Sequence, residues 1–318
     1  MSLLKVSVTV VGLYLVLSKL DARAIWALIK DIEPGWMALG AVLIALSLPL
    51  RAFRWHIVLH GVGSSIRFGR LVELYLVGSF FNAFLPSGLG GDVVRAAEAA
   101  QDVDSGVAVS TVLIDRLSGL MAMFLMALAV LPFRPEGFPP QVAATIAAIC
   151  VIGLVAGIAL ADGRLFHLLT QFLPAGVRAA GDGFLDRLTR SIKLCSWRAL
   201  AGALLVSVAF NLLQMGWWAA SGLALGLTIP FGYYLIIVPI LALALLVPSI
   251  GGLGVRENLA PLLFNGAGIT PEQAVALTLL VFGLERVASL LGAPVYLASI
   301  LRGARRRPAS NNTTSQTK

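Results

Sequence analysis

Charge is scarce in this sequence: 13% of its 318 residues are Asp, Glu, Lys or Arg, against about a quarter in soluble domains. With 58% hydrophobic residues and a mean hydropathy of +0.89, the chain is expected to lie in a membrane. Long polar stretches are lacking too. The polar segments are short and separate apolar runs of spanning length, roughly 20 residues each. That leaves no room for a sizeable soluble domain, so catalysis outside the bilayer is not expected. Only two cysteines occur, Cys150 in an apolar run and Cys195 in a basic amphipathic stretch; they give neither a disulfide framework nor a metal pattern. Nor is there a Gly-x-x-x-x-Gly-Lys nucleotide loop, which argues against ATP-driven work by this chain alone. Acids are outnumbered, 16 against 24 Lys and Arg, and the basic residues fall mainly in loops and the tail. The net charge of +8 therefore reports topology and affinity for anionic headgroups. No aromatic-basic module points to nucleic acid.

What is present reads as a series of spans. The first apolar run, about 3–17, carries only Lys5 and ends in Ser18-Lys19-Leu20-Asp21 without a small-residue cleavage site, as an uncleaved helix does. Trp26 and Trp36 flank Glu33-Pro34-Gly35 as interfacial residues. A second helix, 36–59, closes on Arg51, Arg54 and Trp55, and Arg67 and Arg70 follow with no acid among them; arginine excess assigns residues 51–70 to the cytoplasm. His56 and His60, spaced i, i+4, have no third ligand nearby, so they read as interfacial residues and no metal site is expected. Further apolar segments cover 71–85, 106–131, 141–160, 198–227, 231–247 and 271–301. Gly153-x-x-x-Gly157 and Gly222-x-x-x-Gly226 would let helices approach closely. Residues 162–197, with five basic residues and three aspartates, are expected to form a cytoplasmic amphipathic helix on the headgroups. The arginine cluster at 302–307 marks the inside again, and the tail 303–318 is expected to be disordered. The chain is thus expected to be an all-α polytopic membrane protein of about eight transmembrane helices, one domain over 1–302, with both termini cytoplasmic.

Two apolar segments are interrupted in the same way. The first reads Phe81-Asn82-Ala83-Phe84-Leu85-Pro86-Ser87-Gly88-Leu89-Gly90-Gly91-Asp92-Val93-Val94-Arg95; the second, one residue shorter between Pro and Arg, reads Pro248-Ser249-Ile250-Gly251-Gly252-Leu253-Gly254-Val255-Arg256-Glu257. Hydrocarbon cannot satisfy opened backbone groups, so such breaks must be enclosed by protein or line a wet cavity. Paired Gly/Pro breaks in corresponding places of two halves, here about 36–131 and 198–301, point to a transporter site built from discontinuous helices. Counting crossings makes 71–105 a re-entrant hairpin entering and leaving on the cytoplasmic side, with 92–101 a short helix capped by Asp92. The candidate binding residues are Asn82, Ser87, Gly90, Gly91, Asp92 and Arg95 in the first motif, and Ser249, Gly251, Gly252, Arg256 and Glu257 in the second. Arg95 and Arg256 fall in the first turn of a helix after a glycine break, where free N–H groups and the helix dipole favour an anion and a guanidinium fork suits a phosphate.

Other charges sit inside apolar spans, where each unpaired one costs at least about 2.5 kcal/mol. Glu98, Asp115, Arg116, Glu285 and Arg286 make up this network. Sequence neighbours such as Asp115 and Arg116 differ by about 100° around a helix, so each should reach a different helix. Locking the bundle and taking part in transport are both open to them.

These motifs, with Arg51-x-x-Arg54-Trp55 and Asp115-Arg116, resemble the transmembrane flippase-like domain of lysylphosphatidylglycerol synthases, over about residues 5–302. The resemblance implies a multi-pass inner-membrane protein that moves a lipid, anionic or polyprenyl-type, between leaflets, with no cofactor and no catalysis of its own. Its implied partners are membrane lipids, with a second copy of the chain or a lipid-biosynthetic enzyme left open. The sequence ends in a short tail without the soluble aminoacyl-transferase domain, so synthesis of lysyl-lipid is not expected. The other function class is a membrane-embedded lipid-modifying or glycosyl-transferring enzyme, or an accessory subunit of envelope lipid biosynthesis. For that class Asp102 and Asp104 could hold a divalent ion, although capping a helix is the plainer role of such aspartates.

Overall fold

The computed structural model describes residues 2–18, 20–84, 90–134, 138–161, 192, 194–243, 249 and 252–306. Ser87, Gly251, most of the expected amphipathic stretch at 162–197 and the tail beyond 306 lie outside the described residues. Every regular element described is helical. We number them α1 (Ser2–Leu17), α2 (Ala22–Lys30), α3 (Pro34–Gly61), α4 (Phe68–Phe84), α5 (Gly90–Ala99), α6 (Ser105–Val130), α7 (Pro140–Ala161), α8 (Trp197–Ala224), α9 (Phe231–Leu243), α10 (Val255–Leu263), α11 (Pro271–Ser289) and α12 (Gly292–Arg306).

Among the described residues, five stretches are long and apolar enough to cross a membrane: α3, α6 with the turn after it, α7, α8, and α11 continued into α12. At 1.5 Å per residue, the 28 residues of α3 reach about 42 Å, more than the roughly 30 Å hydrocarbon core. By contrast α4, with 17 described residues, and α9, with 13, are shorter than that thickness. The outward surface is apolar where a water-soluble protein would be charged: Leu205 is 72% exposed and Ile152 68% exposed, which suits contact with acyl chains.

Local signals set the ends. Asp104 accepts hydrogen bonds from Gly106 and Val107 and starts α6; Ser196 caps α8; and Thr270 with Gln273 forms a capping box at α11. The expected helix at 271–301 is interrupted near Leu290, with α12 starting at Gly292. A Cβ there would collide with the Leu76 carbonyl oxygen, so the glycine lets α12 lie against α4. The second helix ends at Gly61, close to the expected Leu59, and carries Arg51 and Arg54 inside the bundle, where Arg54 pairs with Asp115 and Arg51 lies against the Tyr75 and Phe210 rings.

The main pairing is α3 along α8, with α6 packed on both. One apolar core, around Trp217, Trp218, Tyr233, Tyr234 and Phe264, joins α8, α9 and α10 to α6, α7 and α11. A smaller one, around Trp55, Leu59, Leu71, Leu74 and Tyr75, joins α3, α4 and α5. On α7, Gly153 and Gly157 face Phe124 and Met121 of α6 at a separation no side chain would permit, a close packing of the kind small residues allow.

Candidate functional site

Two helix-break-helix units frame the site. In the first, α5 folds back on α4: a Cβ on Gly91 would collide with the Gly78 carbonyl oxygen, and the Gly91 N–H donates to Asn82 Oδ1 at 2.8 Å. The two helices form a hairpin, with Gly91 and Gly78 letting two backbones touch. Asp92 does not cap it. Since α5 begins at Gly90, Asp92 stands within its first turn, and its carboxylate turns sideways to Arg116 of α6 and to Arg95, 3.6 Å away.

In the second unit, Gly252 and Gly254 have φ of +82° and +84°, a left-handed backbone that only glycine enters cheaply. Glu257, fully buried, accepts the Gly254 N–H at 2.6 Å and closes the start of α10. Gly254 also packs on Gly12 of α1, and Asn258 donates to the Gly12 carbonyl at 2.8 Å. Ser249 is buried just before the break. The two units are alike in order but not in packing: α5 lies along its own preceding helix, whereas α10 lies against α11 and α1.

Asp115 is the electrostatic centre of the first half. Its side chain is 1% exposed and receives Arg54 Nε at 2.7 Å, Arg95 Nη2 at 3.0 Å and the Tyr75 hydroxyl. Arg95 is stacked between the rings of Tyr75, 4.2 Å away, and Trp55, 4.7 Å away; the Trp55 indole N–H donates to Thr111. Four helices thus converge on one carboxylate. Two guanidinium groups face this one carboxylate, and a buried charge paired in this way is a framework whose loss is costly.

Neighbouring charges in the sequence turn to different helices, as their 100° separation requires. Arg116 reaches Asp92 on α5. Glu285 reaches Arg256 Nη1 on α10 at 3.4 Å, while Arg286 lies over the Phe282 ring and points Nη1 toward the Asn82 carbonyl, 3.5 Å away. Glu98 is set apart: it joins Asp102 and Glu73 around Arg70 at the other end of α5.

Between these groups lies a cavity of about 300 Å³. Among the described residues its walls carry five arginines, Arg51, Arg54, Arg116, Arg256 and Arg286, against one carboxylate, Glu285. Neutral polar groups complete it, among them Ser47, Ser79, Asn82, Asn211 and Gln214, with Phe210 and Trp217 as aromatic walls. Arg51 lies ten residues inside the end of α3 at Gly61, about 15 Å along the axis. The cavity is therefore well inside the bundle.

The cavity gathers Asn82, Arg116, Arg256, Glu285 and Arg286 from the sequence-derived candidates. It leaves Arg95 behind its wall on Asp115, Glu257 in the first turn of α10, and Glu98 on Arg70 at the other end of α5. Sequence reading passed over Arg51, Arg54 and Tyr75 as site residues; the i, i+3 spacing of the two arginines, which puts them on one helix face, was the available signal. His56 and His60 stack with ring centroids 4.1 Å apart, and no group of three metal-ligating side chains occurs among the described residues.

No curated protein matches the chain. The family model described as lysylphosphatidylglycerol synthase TM region matches residues 2–292, an extent that takes in both glycine breaks, the Asp115 cluster and every wall of the cavity. A match over that much of the chain settles membership: the protein belongs to the lysylphosphatidylglycerol synthase TM region family, membrane proteins related to lipid metabolism.

Proposed function

We propose that this protein moves an anionic phospholipid between leaflets of the plasma membrane, with the headgroup passing through the arginine-lined cavity. One observation carries the reading: among the described residues, five arginines and a single carboxylate share a cavity of about 300 Å³ inside an apolar helical bundle. An intramembrane cation excess calls for an anion to enter, and the polar groups beside it can hold the rest of a small headgroup. Broken helices at the cavity edge supply elements short enough to shift without unwinding a full span.

The same reading takes α1, α4 with α5, α9 with α10 and the five long stretches as eight crossings or re-entrant segments, with both termini on the cytoplasmic side. Transport is favoured over lipid modification by the aspartates considered for a divalent ion. Asp102 Oδ2 is held by Arg70 at 3.2 Å, and Asp104 caps α6, so both are engaged in structural roles.

The test is leaflet exchange in proteoliposomes, comparing fluorescent phosphatidylglycerol with fluorescent phosphatidylcholine. Faster exchange of the anionic lipid than in protein-free vesicles, with little effect on the zwitterionic one, is expected. No acceleration of either lipid would remove the reading.

A further inference from the structure

Six arginines surround the cavity and its wall, and they are not equivalent. Arg54 and Arg95 meet Asp115, Arg116 meets Asp92, and Arg256 meets Glu285, each within 4.0 Å. Arg51 and Arg286 meet no carboxylate among the described residues. Each is instead held against aromatic faces: Arg51 lies 4.9 Å from the Tyr75 ring and 5.4 Å from the Phe210 ring, and Arg286 lies 4.5 Å from that of Phe282. Aromatic faces orient a guanidinium without neutralising it. Both residues line the cavity, one from α3 in the first half and one from α11 in the second. Arg286 Nε is buried without a hydrogen-bond partner, and so is Ser79 Oγ on the same cavity.

We infer that Arg51 and Arg286 are the pair that takes the charge of the substrate, and that the charge is a phosphate ester. The inference rests on the transport reading above and says which arginines serve it. A carboxylate has two oxygens to divide between two guanidinium groups, as Asp115 divides them between Arg54 and Arg95, whereas a phosphate ester has more oxygens and can meet each guanidinium with a full fork. A tetrahedral phosphate can present oxygens to two forks at once, and the hydroxyls and amides of Ser79, Asn211 and Gln214 remain for a small polar group beyond it. Arg54, Arg95, Arg116 and Arg256 are framework: their forks already hold acids that fix helix to helix. Arg95, at the start of a broken helix, belongs to this second class although its position alone suggests an anion site.

The division has a stability signature. Replacing a framework arginine leaves a buried carboxylate unpaired, which destabilises the protein. Replacing Arg51 or Arg286 removes a cation with no carboxylate within 4.0 Å among the described residues and leaves no acid unpaired, so the lipid-free protein should hold its melting temperature or gain.

The experiment measures thermal unfolding of purified protein in a neutral detergent, with added phosphatidylglycerol, phosphatidylcholine, or inorganic phosphate and glycerol phosphate as water-soluble anions. Wild type and Arg198→Gln, a surface change outside the cavity, should be stabilised by phosphatidylglycerol alone. Arg51→Gln and Arg286→Gln should melt no lower than wild type without lipid, and should need at least tenfold more phosphatidylglycerol for the same stabilisation. Arg51→Lys and Arg286→Lys, which keep the charge but lose the fork, should fall between. Either Gln variant responding to phosphatidylglycerol as wild type does, or melting well below wild type without it, would overturn the assignment. Equal stabilisation by glycerol phosphate would reassign the site to a soluble anion and overturn the lipid part. Wild-type binding through these arginines with no leaflet exchange would instead remove the transport reading and leave the binding assignment standing.

Discussion

Arg54 precedes Asp115 by 61 residues in the chain and lies 2.7 Å from its carboxylate in the folded bundle. Removing that carboxylate should therefore be the most damaging single-atom-scale change in the first half. Asp115→Asn leaves Arg54 and Arg95 buried without their shared acid, at an expected cost of about 3–5 kcal/mol. Thermal unfolding in detergent measures it, and a melting temperature equal to wild type would show that the cluster does not hold the fold.

Close backbone contact between α4 and α5 gives a sharper contrast. A Cβ on Gly91 meets the Gly78 carbonyl and stands 2.6 Å from Asn82 Cγ, whereas nothing lies within 4 Å of one on Gly283. Gly91→Ala should lose folded yield or about 1–3 kcal/mol of stability by overpacking. Gly283→Ala, in the middle of α11, should be neutral or stabilising by about 0.5–1 kcal/mol. Fluorescence size-exclusion profiles and melting temperatures of the two proteins decide the point.

The ion pair that ties α10 to α11 lends itself to a double-mutant cycle. Arg256→Gln and Glu285→Gln each break the 3.4 Å contact; their combination should be less destabilising than the sum, by about 0.5–3 kcal/mol. Strict additivity would mean that the two side chains do not sense each other.

Orientation can be read by labelling single cysteines in intact cells after replacing Cys150 and Cys195, both buried. A cysteine at exposed Ser65, between α3 and α4, should resist a membrane-impermeant reagent added outside. One at Phe133, 83% exposed in the turn after α6, should react. The reverse pattern would invert the topology drawn from the arginines.

How far the sequence discloses this structure depends on the range of the interaction. Class and breaks are written locally: apolar runs, Pro-Ser before paired glycines, and an aspartate or serine at a helix start need no knowledge of distant residues. Helical periodicity also sufficed to say that Asp115 and Arg116 turn to different helices. Partner choice is another matter. That Arg95 closes on Asp115 instead of facing the cavity follows from how α5 lies on α4 and α6, which composition does not encode. Arg51 and Arg54 were hidden for a related reason. An arginine near the end of an apolar run usually marks the membrane surface, and only the acid on α6 and the aromatic rings on α4 and α8 show that Arg54 and Arg51 are carried inward.

The contact of Gly254 and Asn258 with Gly12 has a bearing on how the protein is made. The first break has its support next to it, since α4 is the segment synthesised just before α5. The second break leans on α1, and 246 residues separate Asn258 from Gly12. Chains emerge from the ribosome at about 5–20 residues per second with N-terminal parts folding first, so α1 must wait some tens of seconds in the bilayer before its partner exists. Assembly of the second break is thus a late event that closes the chain on itself, and a helper that shelters α1 until then would set the yield of finished protein.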